Sequence, residues 1–330
     1  MNRGRRMLAE DHPDYWAEYY ELGWREELKL FDSVLDPKET NALRAINYYN
    51  RIVSGYERIV YESSGGAVLD NQTAEKTGTG LDLFVLRKRE DKPKPPPELA
   101  LPTGKAPVIN SIMQGRGFQL PQYIDLDEQV ERFLLDYIIL HPEIEAVVDL
   151  GSGTGQRLIK FFYMGCPSHV RLYSAEQSES ARALNQRLVD LDAGLDISIH
   201  AFNFRRPDFS FVREKKHVLF FTALSIMFIH EVGRTPFEAM LRAANAATGI
   251  HFEPVGFQIS TPTYEYSKLQ AQEANSRNWN IDLGSVLQDL HNLGVIEVKY
   301  SGKDILPAKD PGHALSVTLW HKTAKAASSD

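Results

Sequence analysis

From Ala146 onward, short apolar runs alternate with stretches whose apolar positions recur at helical spacing. The runs at 146–150, 169–175, 196–203, 217–222 and 250–255 are bounded by turn residues and read as buried strands. The stretches 155–164, 178–192 and 236–247 read as helices, the last closed by Gly249. Strand and helix in alternation predict an α/β fold, a doubly wound and mostly parallel sheet covered by helices on both faces. A further helix, Asp282 to Leu293, carries Leu283, Val286, Leu287 and Leu290 on one side. Two strands, 295–300 and 314–322, follow as an antiparallel pair joined by a polar loop.

Upstream, Leu126, Val130, Phe133, Leu134, Tyr137 and Ile138 mark one face of a helix, with Asp125 and Glu128 placed to cap it and Pro142 just past its end. Residues 1 to 90 read as helical and aromatic-rich. Tyr15 and Tyr19, then Trp16, Tyr20 and Trp24, recur at spacings of four, as do Ile52, Tyr56 and Val60. Residues 63–80 form a Gly/Ser/Thr-rich loop and 91–107 a proline-rich connector. The expected division is a helical region over 1–107 and an α/β domain over 108–330. The N-terminal aromatic helices suit a lid, a hydrophobic appendage or a homodimer contact; packing is the expected role of any single tyrosine.

Composition narrows the classes. Of 330 residues 43% are hydrophobic and 25% charged, which supports a packed core. A net charge of −7 argues against a nucleic-acid surface, and Arg3, Arg5 and Arg6 read as a solvated terminus. The single cysteine, Cys166, rules out an intrachain disulfide and a multi-cysteine zinc site. The chain opens on no signal-like segment, and its longest apolar run, Val218 to Ile229, is too short to span a bilayer. The expectation is a soluble, cytoplasmic protein with no membrane partner.

The chemistry concentrates in "AVVDLGSGTG" (146–155), which reads as strand, tight turn and helix start. Glycine at 151, 153 and 155 permits positive φ and lets a ligand approach the backbone. A dinucleotide fingerprint places its third glycine five positions after the first, where this chain has Gln156. The next acid at a strand end, Glu176, can accept hydrogen bonds from both hydroxyls of a ribose.

"VVDLGSGTG", the acid of "YSAEQS" and the "AFNF" ending of the third strand resemble the class I S-adenosylmethionine-dependent methyltransferases over roughly residues 125–325. The resemblance implies a seven-stranded Rossmann-like sheet with an antiparallel last strand, and S-adenosyl-L-methionine as cofactor. It implies that Gly151 and Gly153 line the methionine part, that Glu176 holds the ribose, and that Asn203 and Phe204 flank the adenine. Thr222 would sit near the methyl group, and Asp149 would orient the turn or contact the methionine ammonium. Arg116, in the stretch 111–123 that folds over the cofactor in similar proteins, would hold the methionine carboxylate. The plainer alternatives are helix capping for Asp149 and Glu176, core packing for Phe204, and an exposed turn arginine at 116.

An oxygen or carbon acceptor needs a base, or a metal to acidify it. His230, Glu231, His251 and Glu253 lie at the strand ends, and 251 and 253 point to the same side of their strand. His230 and Glu253 are the candidate acid–base pair; with His291 they are candidate ligands of a divalent metal, although no compact ligand motif exists. Where the family's methyltransferases of planar nitrogens carry Asn-Pro-Pro-aromatic, this chain has "FFTALS". The reading is a methyltransferase of a small-molecule acceptor: a metabolite, a 2-oxo or amino acid, or a sugar. A protein substrate, or a cofactor-binding interaction protein without turnover, are the alternatives.

Overall fold

The computed structural model describes residues 15–61, 83–88, 108–113, 116–121, 128–260, 265–306 and 314–324; at 57–61, 83–88, 108–113, 116–121 and 265–267 it describes the backbone. The loop expected at 63–80, the connector at 91–107 and the capping role of Asp125 lie outside these residues. The chain divides into two compact units, Met1–Ala100 with Ser178–Gly194, and Leu101–Gln177 with Leu195–Asp330.

In the first unit, α1 (Tyr15–Val34) and α2 (Ala42–Val53) join α5 (Glu179–Val189). Helix α1 buries Tyr15, Gly23, Glu27 and Phe31. Phe31 meets Tyr49 of α2 edge to face at 5.4 Å, and the Tyr49 hydroxyl donates to the Glu27 carboxylate at 2.8 Å. Ser178 caps α5 by accepting from the Ala181 amide. Glu21 of α1 then accepts from the hydroxyls of Ser178 and Ser180 at 2.7 and 2.6 Å. Residues 56–61 are not the helix that their spacing suggests. They form β1 (Tyr56–Tyr61), antiparallel to β2 (Leu83–Lys88). "YERIVY" is β-branched and aromatic enough to satisfy either period, and a partner strand decides it.

The second unit opens with the hairpin β3 (Val108–Met113) and β4 (Arg116–Pro121). Helix α3 (Gln129–Leu140) follows and buries Val130, Glu131, Leu134 and Ile138. Glu128 stands at its N-cap without a capping bond; its carboxylate takes Arg132 at 3.3 Å instead. The sheet comprises β5 (Ala146–Leu150), β6 (Arg171–Glu176), β7 (Ile197–Ala201), β8 (His217–Ala223), β9 (Ala246–Glu253), β10 (Ile296–Leu306) and β11 (Leu315–Lys322). Their order is β10-β11-β9-β8-β5-β6-β7. Strands β5 to β9 run parallel, while β11 pairs antiparallel with both β9 and β10. This is a doubly wound, seven-stranded Rossmann-like sheet, antiparallel at its end. Helices α4 (Gln156–Tyr163), α6 (Thr235–Ala243), α7 (Gly256–Ile259), α8 (Glu265–Ser276) and α9 (Leu283–Asn292) complete the unit among the described residues.

One sheet face buries Val148, Phe220, Phe237, Leu287 and Trp320 in a common core. The helix expected over 236–247 ends at Ala243, and Ala246–Gly249 open β9 instead. Two causes converge there. Lys322 donates its ammonium to the Leu241 and Ala244 carbonyls, ending α6 as a C-terminal cation does. Gly249 passes beneath Trp320, whose indole occupies the space that a Cβ would need. Among the described residues no helix is long and apolar enough to cross a membrane.

Candidate active site

Strand order reverses at β5, which lies between β6 and β8, so a crevice opens at its carboxyl end. The turn there holds Gly151, Gly153 and Gly155 at φ of +71°, +54° and +71°. Only glycine adopts these angles without strain. Gly151 has a second reason to be bare. A Cβ on it would stand 2.5 Å from the Ser225 Cβ, and Ser225 is fixed there by donating its hydroxyl to the Leu150 carbonyl at 2.8 Å. On that side Gly151 faces the chain's own Ser225 and Phe204 rather than open space.

Most amides of the turn have partners within the protein. Gly151 and Ser152 donate to the Ala175 carbonyl, and Gly155 donates to that of Ser152. The Gly153 amide donates to the Glu176 carboxylate at 2.8 Å. A phosphate-binding loop needs such amides free. Here they are engaged, and carboxylates stand around the turn in their place. The arrangement favours a cationic ligand over a pyrophosphate.

Asp149 pairs in register with Ser174, and Ser174 and Glu176 share a face of β6, so the three line one side of the sheet. Ser174 exchanges a 2.6 Å hydrogen bond with Ser152 of the turn. From α3, Glu131 reaches the same side almost wholly buried and takes Arg157 of α4 at 3.2 Å. Asp149 is 2% exposed, and its Oδ2 has no hydrogen-bond partner among the described residues. Burial raises the Asp149 carboxyl to about 8; Arg157 opposes the rise, and Glu131, Glu176 and Glu253 add to it. Burial raises Glu131 as well, against the pull of Arg157.

The remaining expected residues are engaged within the protein. Phe204 is buried in the core, edge to face with Phe202 at 4.9 Å. Asn203 turns its side-chain oxygen to the Arg205 amide at 2.8 Å and so shapes the turn after β7. Thr222 has no exposed surface and bonds His251 Nδ1 at 3.1 Å, so it offers a methyl group nothing to touch. His251 Nε2 accepts from Trp320 Nε1 at 2.9 Å. That bond leaves the proton on Nδ1 and makes Thr222 the acceptor. Burial holds His251 neutral down to about 3.

Glu253 is likewise fully buried, and its carboxylate accepts the amides of Ser225, Ile226 and Met227 at 3.1–3.2 Å. It therefore fixes the turn after β8, the same turn that sets Ser225 against Gly151. Burial raises its carboxyl, while these bonds and Thr222 pull the other way. No hydrogen bond or ion pair joins Glu253 to His230 among the described residues. A fully buried carboxylate held by three backbone amides and Thr222 is committed to this turn rather than presented to an acceptor.

His230 is half-buried. Its Nδ1 lies 3.1 Å from the Trp279 carbonyl, which can only accept, so Nδ1 carries the proton and Nε2 the lone pair. His291 sits on α9 with Nδ1 toward the Val298 amide at 3.4 Å. Among the described residues no three His, Cys, Asp or Glu side chains converge as a metal would require, and the metal reading is not supported. Arg116 opens β4, and its side chain lies outside the description.

Glu131, Arg157 and Ser225 are parts of this edge that the sequence reading missed. Glu131 had a signal, being charged in register with Leu134 and Ile138 on an apolar stripe. Ser225 had none.

No family model matches the chain, and no curated protein is similar to it. Solved structures resemble it in fold. Magnesium protoporphyrin IX methyltransferase from Synechocystis PCC 6803, with bound S-adenosylhomocysteine, is 10% identical at a TM-score of 0.44, over 60% of this chain and 84% of that one. Geranyl diphosphate C-methyltransferase from Streptomyces coelicolor A3(2) is 12% identical at 0.39, over 59% and 79%. A pericyclic reaction enzyme is 12% identical at 0.36, over 55% and 43%. At such values these likenesses speak of fold alone.

Proposed function

We propose that this chain binds S-adenosylmethionine at the turn after β5 and methylates a small-molecule acceptor, with His230 as general base. The observation that carries the reading is the chemistry of the turn. Its glycine amides are engaged within the protein, and two strand-end carboxylates stand beside it. An anionic pyrophosphate would meet negative charge there, whereas a cationic methionine moiety meets its complement. When bound, the cofactor supplies a methyl group on a sulfonium for in-line displacement, so positioning carries much of the catalysis.

The chain's own residues divide the work. Glu176 accepts from the ribose hydroxyls while holding the Gly153 amide, so the ribose and the turn share one carboxylate. Asp149 meets the ammonium of the methionine moiety. Glu253 is a positioning residue: it fixes the turn of residues 225–227 and, through Ser225, the approach to Gly151. His230, held in one tautomer by the Trp279 carbonyl, accepts the acceptor's proton at Nε2. That Nδ1–carbonyl bond also orients the ring, as the partner of a general base does.

The test replaces His230 by alanine. Turnover with any acceptor found should fall about 100-fold, the usual cost of a lost acid–base group, while S-adenosylhomocysteine binds unchanged. Full activity in His230→Ala would remove the base and leave positioning alone.

A further inference from the structure

Three carboxyl groups act electrostatically on a fourth, Asp149, at the carboxyl end of β5. Asp149 is on the strand itself, Glu176 ends β6, Glu253 ends β9, and Glu131 reaches in from α3. Arg157 of α4 opposes them at Asp149, and its guanidinium is spent on Glu131 at 3.2 Å. On β8, Asp149 faces Phe221 in register, which contributes no charge. Lys160 acts on Glu131 from the same helix as Arg157. Asp149 is left with 2% of its surface exposed and Oδ2 unpartnered; Oε2 of Glu131, 1% exposed, is also without a partner. A buried carboxylate without a hydrogen-bond donor, among three others, is the costliest state this edge could hold. A carboxylic acid is far cheaper there.

We propose that Asp149 is protonated in the ligand-free protein and gives up its proton when a cationic ligand docks on the glycine turn, so that binding and ionisation are one event. The cation is the ammonium of the cofactor's methionine moiety, and the inference rests on the cofactor reading above. The balance is simple. The O–H bond of Asp149 breaks, the proton goes to buffer, and the new carboxylate faces the incoming ammonium, whose charge replaces the donor that the protein withholds. The same edge therefore holds a cation weakly at low pH and strongly at high pH. It does so without the standing cost of four ionised carboxylates in the empty protein.

The test is calorimetric titration of the full chain with S-adenosylhomocysteine at pH 6.5, in two buffers of different ionisation enthalpy. At that pH the ligand's own amine stays protonated, since α-amino groups ionise near about 8. The expected result is about one proton released per ligand bound, and an affinity that rises roughly tenfold per pH unit from 6 to 7.5. Asp149→Asn, which keeps the shape and removes the proton, should bind with no buffer dependence and a flat pH profile. Binding without proton release in the unaltered protein would overturn the inference and leave the cofactor reading standing. Equal release in Asp149→Asn would assign the proton elsewhere and overturn it too. No binding at all in the unaltered protein would sink both. If Asp149→Asn does not fold, the pH slope of the unaltered protein decides alone.

Discussion

Asp149 and Glu253 are two carboxylates with almost no surface, and their neighbours give them opposite tasks. Three backbone amides and Thr222 surround Glu253, so it acts as a fastener for the turn after β8. Asp149 receives no such donors, which leaves it available for a ligand. Residue types and strand position told both apart from ordinary core, but not from each other, because the donors come from a turn more than 25 positions away. His251 shows the same limit. It was legible as a histidine on a buried strand, and its bond to Trp320, 69 positions on, was not. This pair supports a specific expectation. His251 is held neutral to about 3, against 6.5 when exposed, so the folded state binds fewer protons than the unfolded one across that range. Its contribution to stability is complete above pH 6.5 and is lost as the pH falls toward 3. His251→Ala should cost roughly 2–6 kcal/mol, at about 1–3 for each of the stranded Trp320 and Thr222 groups. It should also flatten that part of the acid limb. Urea unfolding at pH 5 and 7 checks both, and equal pH dependence in the two proteins would remove His251 as its source.

The elements of the sheet were easier to read than their ends. Strands β5 and β8 came out at their observed places because a run of about four apolar residues between turn signals fits little else. Strand β9 did not, because "AATG" has helical propensity and nothing local to outweigh it. What outweighs it is tertiary: pairing with β8 in register, Lys322 on the end of α6, and the Trp320 indole over Gly249. Gly249→Ala isolates the last cause. The backbone there is ordinary strand and only space is at issue, so the new methyl would overlap a fully buried indole. The variant should lose about 3 kcal/mol or more through overpacking, read as a lower denaturation midpoint with the slope unchanged. A neutral Gly249→Ala would show that Trp320 has room to move. The hairpin β3–β4 overlaps the stretch expected to fold over a cofactor, and its strand character was missed, since "VINSIM" and "RGFQLP" alternate only weakly.

At the scale of the whole chain, alternation of strand and helix announced the doubly wound sheet, and the final strand pair announced its antiparallel end. The grouping of α5 with the N-terminal helices was not announced. It depends on Glu21 meeting Ser178 and Ser180, some 157 residues away, and no periodicity encodes such a contact. The candidate site was legible as a turn and two acids, and illegible as a cluster, because Glu131 and Arg157 join it only through packing of α3 and α4 beside β5. The central claim is that this edge takes the cationic cofactor S-adenosylmethionine rather than a dinucleotide, and that Glu176 holds its ribose. Calorimetry with S-adenosylhomocysteine and with NAD, on the unaltered chain and on Glu176→Ala, tests it most directly. S-adenosylhomocysteine should bind and NAD should not, and Glu176→Ala should weaken binding by about 1–3 kcal/mol through the lost ribose hydrogen bonds. Binding of NAD, or equal affinity of both proteins for S-adenosylhomocysteine, would contradict it.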